Sequence, residues 1–179
     1  MARRFFLLTA FGKDRAGIVA GVSKVLLNLG ANIEDASMTR LGGEFSMMLV
    51  TTLPSAAKLE KSFRALETKL GLQIAVKAIP ASAARRPKEE PPKYLISVYG
   101  TDRPGIVHHV ARTLAQRQVS ITDLQTKVIG SPSKPVYVML LEIQVPASLD
   151  LDALRGELDH LRRDLKVEIS LQDIEAVPL

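Results

Sequence analysis

Apolar residues recur along this chain in two rhythms that alternate in a fixed order. Residues 5–11 are apolar and aromatic-rich, as in a buried strand, and Gly12 ends the run. Ile18, Val19, Val22, Leu26 and Leu29 then follow the 3.6-residue period of a helix that stops at Gly30. Asp14 is expected to cap that helix, its carboxylate accepting from the first free backbone N–H groups. Residues 32–40 read as a strand, 41–44 (Leu-Gly-Gly-Glu) as a hairpin turn, and 45–53 as the next strand, ended by Pro54. Ser55 is expected to cap a second helix with Leu59, Phe63, Leu66 and Leu70 on one face. Gly71 stops it, and Leu72, Ile74 and Val76 alternate along a last strand. The order is βαββαβ. Two helices on one face of a four-stranded antiparallel sheet make a ferredoxin-like α+β unit.

The pattern is then written a second time. Phe11-Gly12-Lys13-Asp14-Arg15-Ala16-Gly17-Ile18-Val19 returns, 88 residues later, as Tyr99-Gly100-Thr101-Asp102-Arg103-Pro104-Gly105-Ile106-Val107. Val22/Val110, Leu26/Leu114, Ile33/Ile121 and Asp35/Asp123 extend the echo. After a four-residue insertion it resumes with Phe45/Tyr137, Met47/Met139 and Pro54/Pro146. Pro104 is placed in the first turn of its helix, where its missing N–H costs nothing. Leu151, Leu154, Leu158, Leu161 and Leu165 line the later helix, and Val167, Ile169 and Leu171 the last strand. A duplicated unit this long is a whole small domain rather than a solenoid repeat. The expected layout is a first domain over 1–80, a Pro-rich, charged linker over 81–92 and a second domain over 93–179.

Composition narrows the picture. The chain has no cysteine, which excludes disulfides and thiolate metal sites and fits a reducing compartment. Phe5-Phe6-Leu7-Leu8 after Arg3-Arg4 is too short for a secretory signal, and Tyr94–Tyr99 fills the same slot in mid-chain, so a strand and a cytoplasmic, non-membrane protein are expected. The net charge of +5 invites a nucleic-acid reading. The first 80 residues carry 11 basic and 6 acidic groups, residues 93–179 carry 10 and 11, and only 4% of residues are aromatic. Such dispersed charge makes no dense basic stripe or stacking platform, so direct nucleic-acid binding is not expected. Phe6, Phe45, Tyr94 and Tyr137 are the aromatics that an RNA-stacking sheet would have to expose.

Candidate chemistry gathers at the helix starts. Gly17 and Gly105 are placed in a first helical turn, where glycine is unfavourable by about 1 kcal/mol relative to alanine. Close packing of helix on sheet is one reason. The other is a bare helix start whose N–H groups and dipole receive a small anion, such as the carboxylate of a free amino acid. Asn32 and Ser120, opening the next strands, with Asp35 and Asp123 further along, are candidate acceptors for its ammonium; turn chemistry and a solvated strand face are the alternative. His108 and His109 are adjacent and point about 100° apart on a helix, so they do not chelate one metal. The first copy has no histidine, and no nucleophile-histidine-acid set stands out. Gly12–Gly17 lacks the ending of a P-loop. Met47-Met48 and Met139 are expected to be strand packing.

The βαββαβ order, the Asp-Arg-x-Gly-Ile-Val helix start and the following Asn-Ile or Ser-Ile strand resemble the ACT domain, a small-molecule-binding regulatory module. The tandem arrangement is similar to that of the glycine cleavage system transcriptional repressor family. The resemblance implies a non-catalytic amino-acid-binding regulator without cofactor or metal, acting through a protein partner such as a transcription factor, with glycine or serine as the first candidate ligand and a homodimer as the assembly. In the family, ligand sites lie where the loop before the first helix meets the second strand of a neighbouring module. By position this implies Asp14, Gly17, Ile18, Asn32 and Ile33, and in the second copy Asp102, Gly105, Ile106, Ser120 and Ile121. A ligand-free interaction module that pairs through its sheet edges is the alternative.

Overall fold

The computed structural model describes residues 4–53, 59–84, 92–131 and 133–174. Its first strand, β1, runs over Arg4–Lys13 and is followed by α1 (Ile18–Asn28), β2 (Asn32–Leu41), β3 (Glu44–Leu53), α2 (Leu59–Leu70) and β4 (Leu72–Ile79). The second set is β5 (Lys93–Gly100), α3 (Ile106–Gln116), β6 (Ser120–Ser131), β7 (Lys134–Gln144), α4 (Leu151–Leu165) and β8 (Val167–Asp173). Each set makes its own antiparallel sheet, ordered β2-β3-β1-β4 and β6-β7-β5-β8. The chain divides into two units, Met1–Lys88 and Glu89–Leu179. The α+β class and the two ferredoxin-like modules stand. Ser55 and residues 85–91 of the expected linker lie outside the described residues.

The hydrophobic rhythm becomes the core. Phe6, Leu8 and Ala10 of β1 meet Ile18, Val22 and Leu26 of α1, with Met47, Leu49 and Phe63 closing the cluster. Ile96, Val98, Ile106, Val110, Leu114, Met139, Leu141 and Leu154 do the same in the second module. Phe6, Phe45, Tyr94 and Tyr137 are all buried there, so none is a surface for stacking bases. Several residues depart from the expected core, among them Phe11 near the end of β1. Val19 is 47% exposed, because a helical stripe one residue wider than its sheet contact leaves its edge uncovered, and Met48 is 47% exposed on the face of the sheet away from the helices.

Glycines shape the frame at close approaches and stops. β1 continues through Gly12 to Lys13 instead of ending at the glycine. A Cβ at Gly12 would stand 2.7 Å from the carbonyl oxygen of Gly71, and one at Gly100 would stand 2.7 Å from Val167 Cγ1. After α1, Gly30 (φ 67°) closes the helix: its N–H reaches Leu27 O and that of Ala31 reaches Leu26 O, a Schellman stop. The second module makes the same stop with Gln118 (φ 56°).

β2 and β6 are sheet edges, exposed at every position. Each carries a bulge at the same place, between Ile33 and Asp35 and between Ile121 and Asp123. A bulge increases local twist and blunts an open edge.

Candidate functional site

The segment before α1 is held by the hairpin that joins β2 to β3. The backbone N–H of Asp14 donates to Gly43 O at 3.0 Å, and Arg40 Nε lies 2.7 Å from Asp14 Oδ2. Gly17 follows at φ 94°, ψ −3°, and is itself the N-cap residue, with no side chain capping the helix. Asp14 therefore does not cap α1 as expected. A left-handed turn delays the helix to Ile18 and leaves the carboxylate facing Arg40. Gly17 is thus demanded by its backbone conformation, which costs L-residues about 1–2 kcal/mol, and not merely tolerated within a helical turn.

The second module repeats the turn at Gly105 (φ 99°, ψ −10°), again without a side-chain cap. Pro104 accordingly lies in the turn before α3, outside the helix. By contrast α4 has an ordinary cap, Asp150 Oδ1 accepting from the N–H of Asp152 at 2.9 Å and of Ala153 at 3.3 Å. Among the helices whose starts are described, the two that carry the repeated motif are the bare ones.

The two turns differ in what surrounds them. Nothing comes within 4 Å of the place a Cβ would take at Gly17, whereas at Gly105 the His109 ring does, its Cδ2 at 3.4 Å. Where the first module has Arg40 opposite Phe45, the second has Val128 opposite Tyr137. Burial, and secondarily the charge of Asp102, pushes the Tyr137 phenol above its ordinary pKa. His108, His109 and Asp102 are all exposed, and no cluster of metal-ligating side chains occurs among the described residues.

In the first module Asp14, Gly17, Met38, Arg40 and Phe45 border one open cleft of about 710 Å³. Ile18 and Ile106 have buried side chains, so only their backbone can serve a ligand. Asn32 lies at the other end of β2, its Nδ2 donating to Glu34 Oε1 at 3.0 Å, an oxygen that also accepts from Thr52 Oγ1 at 2.7 Å. Ile33 faces the space between β2 and α1. Ser120 and Ile121 open β6 in the same way. The first module thus brings Asp14 and Gly17 to one cleft at the helix start and keeps Asn32 at the far end of its edge strand, where Ser120 stands in the second. Arg40 and Met38 were not among the expected site residues. The signal that could have found Arg40 is its pairing slot, a charged residue where the other copy has valine.

Two modules of this topology, each with an uncapped glycine turn before its first helix, define a tandem ferredoxin-like α+β architecture. The ACT domain model matches residues 4–77 and 93–172, and the chain belongs to the ACT domain family. It is similar to the glycine cleavage system transcriptional repressor of Escherichia coli (strain K12), with 24% identity over 173 residues, 96% of this chain and 88% of that protein. A UPF0237 protein of Streptococcus mutans is 40% identical over 75 residues, 40% of this chain and 85% of its own length. A solved structure of a protein from Galdieria sulphuraria has the same fold, with a TM-score of 0.81, 29% identity and coverage of 97% of this chain and 99% of that one. Among the described residues no helix is long and apolar enough to cross a membrane.

Proposed function

We propose that this protein is a cytoplasmic, non-catalytic regulator of amino-acid metabolism, with modules over 1–80 and 93–179 tethered by residues 81–92. In this reading a free amino acid binds at the start of α1, and its presence is passed to a protein partner such as a transcription factor. The observation that carries it is the Gly17 turn: left-handed, uncapped, open on its outer side and flanked by the Asp14–Arg40 pair. A carboxylate is favoured at such a helix start by the dipole and the free N–H groups. The guanidinium of Arg40 adds donors, and Asp14 supplies an acceptor for the ammonium. The likeness to the glycine cleavage system transcriptional repressor, at 24% identity, supports the class of function.

Affinity is bounded by size. Glycine has five heavy atoms, and a ceiling of about 1.5 kcal/mol per atom caps its binding near 7.5 kcal/mol. Dissociation constants therefore fall in the micromolar to millimolar range, where cellular amino-acid pools lie. The ligand shifts a regulatory equilibrium only by binding one state better than the other. A thermal-shift screen of the twenty amino acids tests the reading. At least one should raise Tm in the full chain, and Gly17→Asn, which tolerates the left-handed turn but fills the open space, should reduce that response. A pull-down with and without the active amino acid then tests the partner.

A second reading rests on the edge strands. Ile33, Met38 and Leu41 on β2, and Ile121, Leu124, Val128 and Ile129 on β6, are large apolar residues left exposed on unpaired edges. Such edges favour strand pairing with another chain. A flat amino-acid screen together with concentration-dependent self-association would favour this ligand-free role.

A further inference from the structure

Next to the open cleft at the start of α1 lies a smaller chamber with apolar walls. Val19 and Val22 of α1, Ile33 and Met38 of β2, and Met47 and Leu49 of β3 line a partly open space of about 180 Å³. Val19, Ser23 and Met38 border both spaces, so the cleft leads into the chamber. The space exists because small side chains face it between helix and strand: Ser23 on α1 and Ala36 on β2. The second module has Ala111 and Leu124 at those places. Ala36 pairs with Leu49 as Leu124 pairs with Leu141, and both partners belong to the buried core, so Ala36 and Leu124 lie on the helix side of their sheets. A leucine brings three more carbons into the space that Ala36 leaves open.

The geometry points to the ligand class of the first module: an α-amino acid with an aliphatic side chain of three or four heavy atoms, such as valine, leucine, isoleucine or methionine. Its polar end lies at the Gly17 turn and Arg40, and its side chain fills the chamber. This rests on the reading that an amino acid binds at that turn, and it replaces glycine or serine as the expected ligand. At about 180 Å³ the space has room for a four-carbon side chain laid between α1 and β2. Glycine and serine leave the chamber unfilled. Each methylene buried there tightens binding about fourfold, so leucine should bind on the order of a hundredfold more tightly than glycine.

The test is a thermal-shift titration of the full chain with leucine, isoleucine, valine, methionine, glycine and serine, run on the wild type and on Ala36→Leu. Ala36→Leu installs the residue that the second module already accommodates, and Ala36→Val is the smaller filling variant should the first not fold. Aliphatic amino acids should raise Tm by several degrees, glycine and serine far less, and the filled variants should keep their unliganded Tm while losing the leucine response. A response to glycine or serine alone overturns the aliphatic assignment and leaves binding at the turn standing. An undiminished leucine response in Ala36→Leu overturns the chamber as its seat. A filled variant that changes oligomeric state in size-exclusion chromatography, with no aliphatic response in the wild type, makes the chamber a contact between copies and overturns the proposal. If no amino acid acts, this inference fails together with the reading beneath it.

Discussion

Arg40 at the end of β2 is tied to Asp14, in the loop before α1, by a 2.7 Å ion pair. That contact joins the edge strand to the turn that opens the helix, and the second module, with Val128 in place of arginine, lacks it. The pair is of more consequence for ligand recognition than for stability. Arg40 is 67% exposed, and exposed ion pairs contribute about 0–1 kcal/mol. Arg40→Ala should therefore move the denaturation midpoint very little while weakening amino-acid binding roughly tenfold, the loss of one charge-assisted hydrogen bond of about 1.5 kcal/mol. Isothermal titration alongside urea denaturation separates the two effects. A large stability loss with unchanged affinity would reverse the assignment.

The two modules stop their helices with different residues at equivalent places. Gly30 and Gly71 adopt positive φ in the first, and Gln118 (φ 56°) and Lys166 (φ 52°) take the same conformation in the second. Non-glycine residues there carry about 1–2 kcal/mol of strain, partly offset by the entropy glycine adds to the unfolded chain. Gln118→Gly and Lys166→Gly should each stabilise the protein by up to about 1 kcal/mol. Chemical denaturation of the single and double variants checks this, and a loss of stability in both would show that side-chain contacts outweigh the strain.

Arg117 at the end of α3 is bonded to Glu157 of α4. The hydrogen bond from Arg117, with its charge adding to it, holds the Glu157 carboxyl below its ordinary pKa against the opposing effect of burial. A depressed carboxyl pKa adds stability above the unfolded value, near 4.3, that is lost as pH falls through the folded value. Wild-type protein should thus lose more Tm than Glu157→Gln on acidification below about pH 4.5. The difference should be small because the pair is surface-accessible, and equal slopes for the two proteins would count against the linkage.

Much of the fold was legible from residue periodicity. Ile18, Val22 and Leu26 face the sheet as their spacing demanded, and Leu72, Ile74 and Val76 alternate as written. The duplicated motif tied each element of one copy to its counterpart in the other. The helix start was misread because capping preferences concern side chains, whereas here a left-handed glycine sets where the helix begins and Asp14 turns to a distant partner. Periodicity alone also could not separate Val22, under the sheet contact, from Val19 at its rim. The chamber depends on small side chains meeting across a gap between α1 and β2. Only a comparison of Ala36 with Leu124, guided by strand register, hints at it in the sequence.

An amide-resolved NMR titration of the isotopically labelled full chain with leucine tests most directly whether an amino acid lodges at the open turn. The largest shifts are expected at the backbone N–H groups of Gly17, Ile18 and Val19 and at the Arg40 guanidinium, saturating at micromolar to millimolar leucine. Shifts confined to residues away from the 14–19 segment, or none at saturating leucine and at saturating glycine, would contradict binding at that turn.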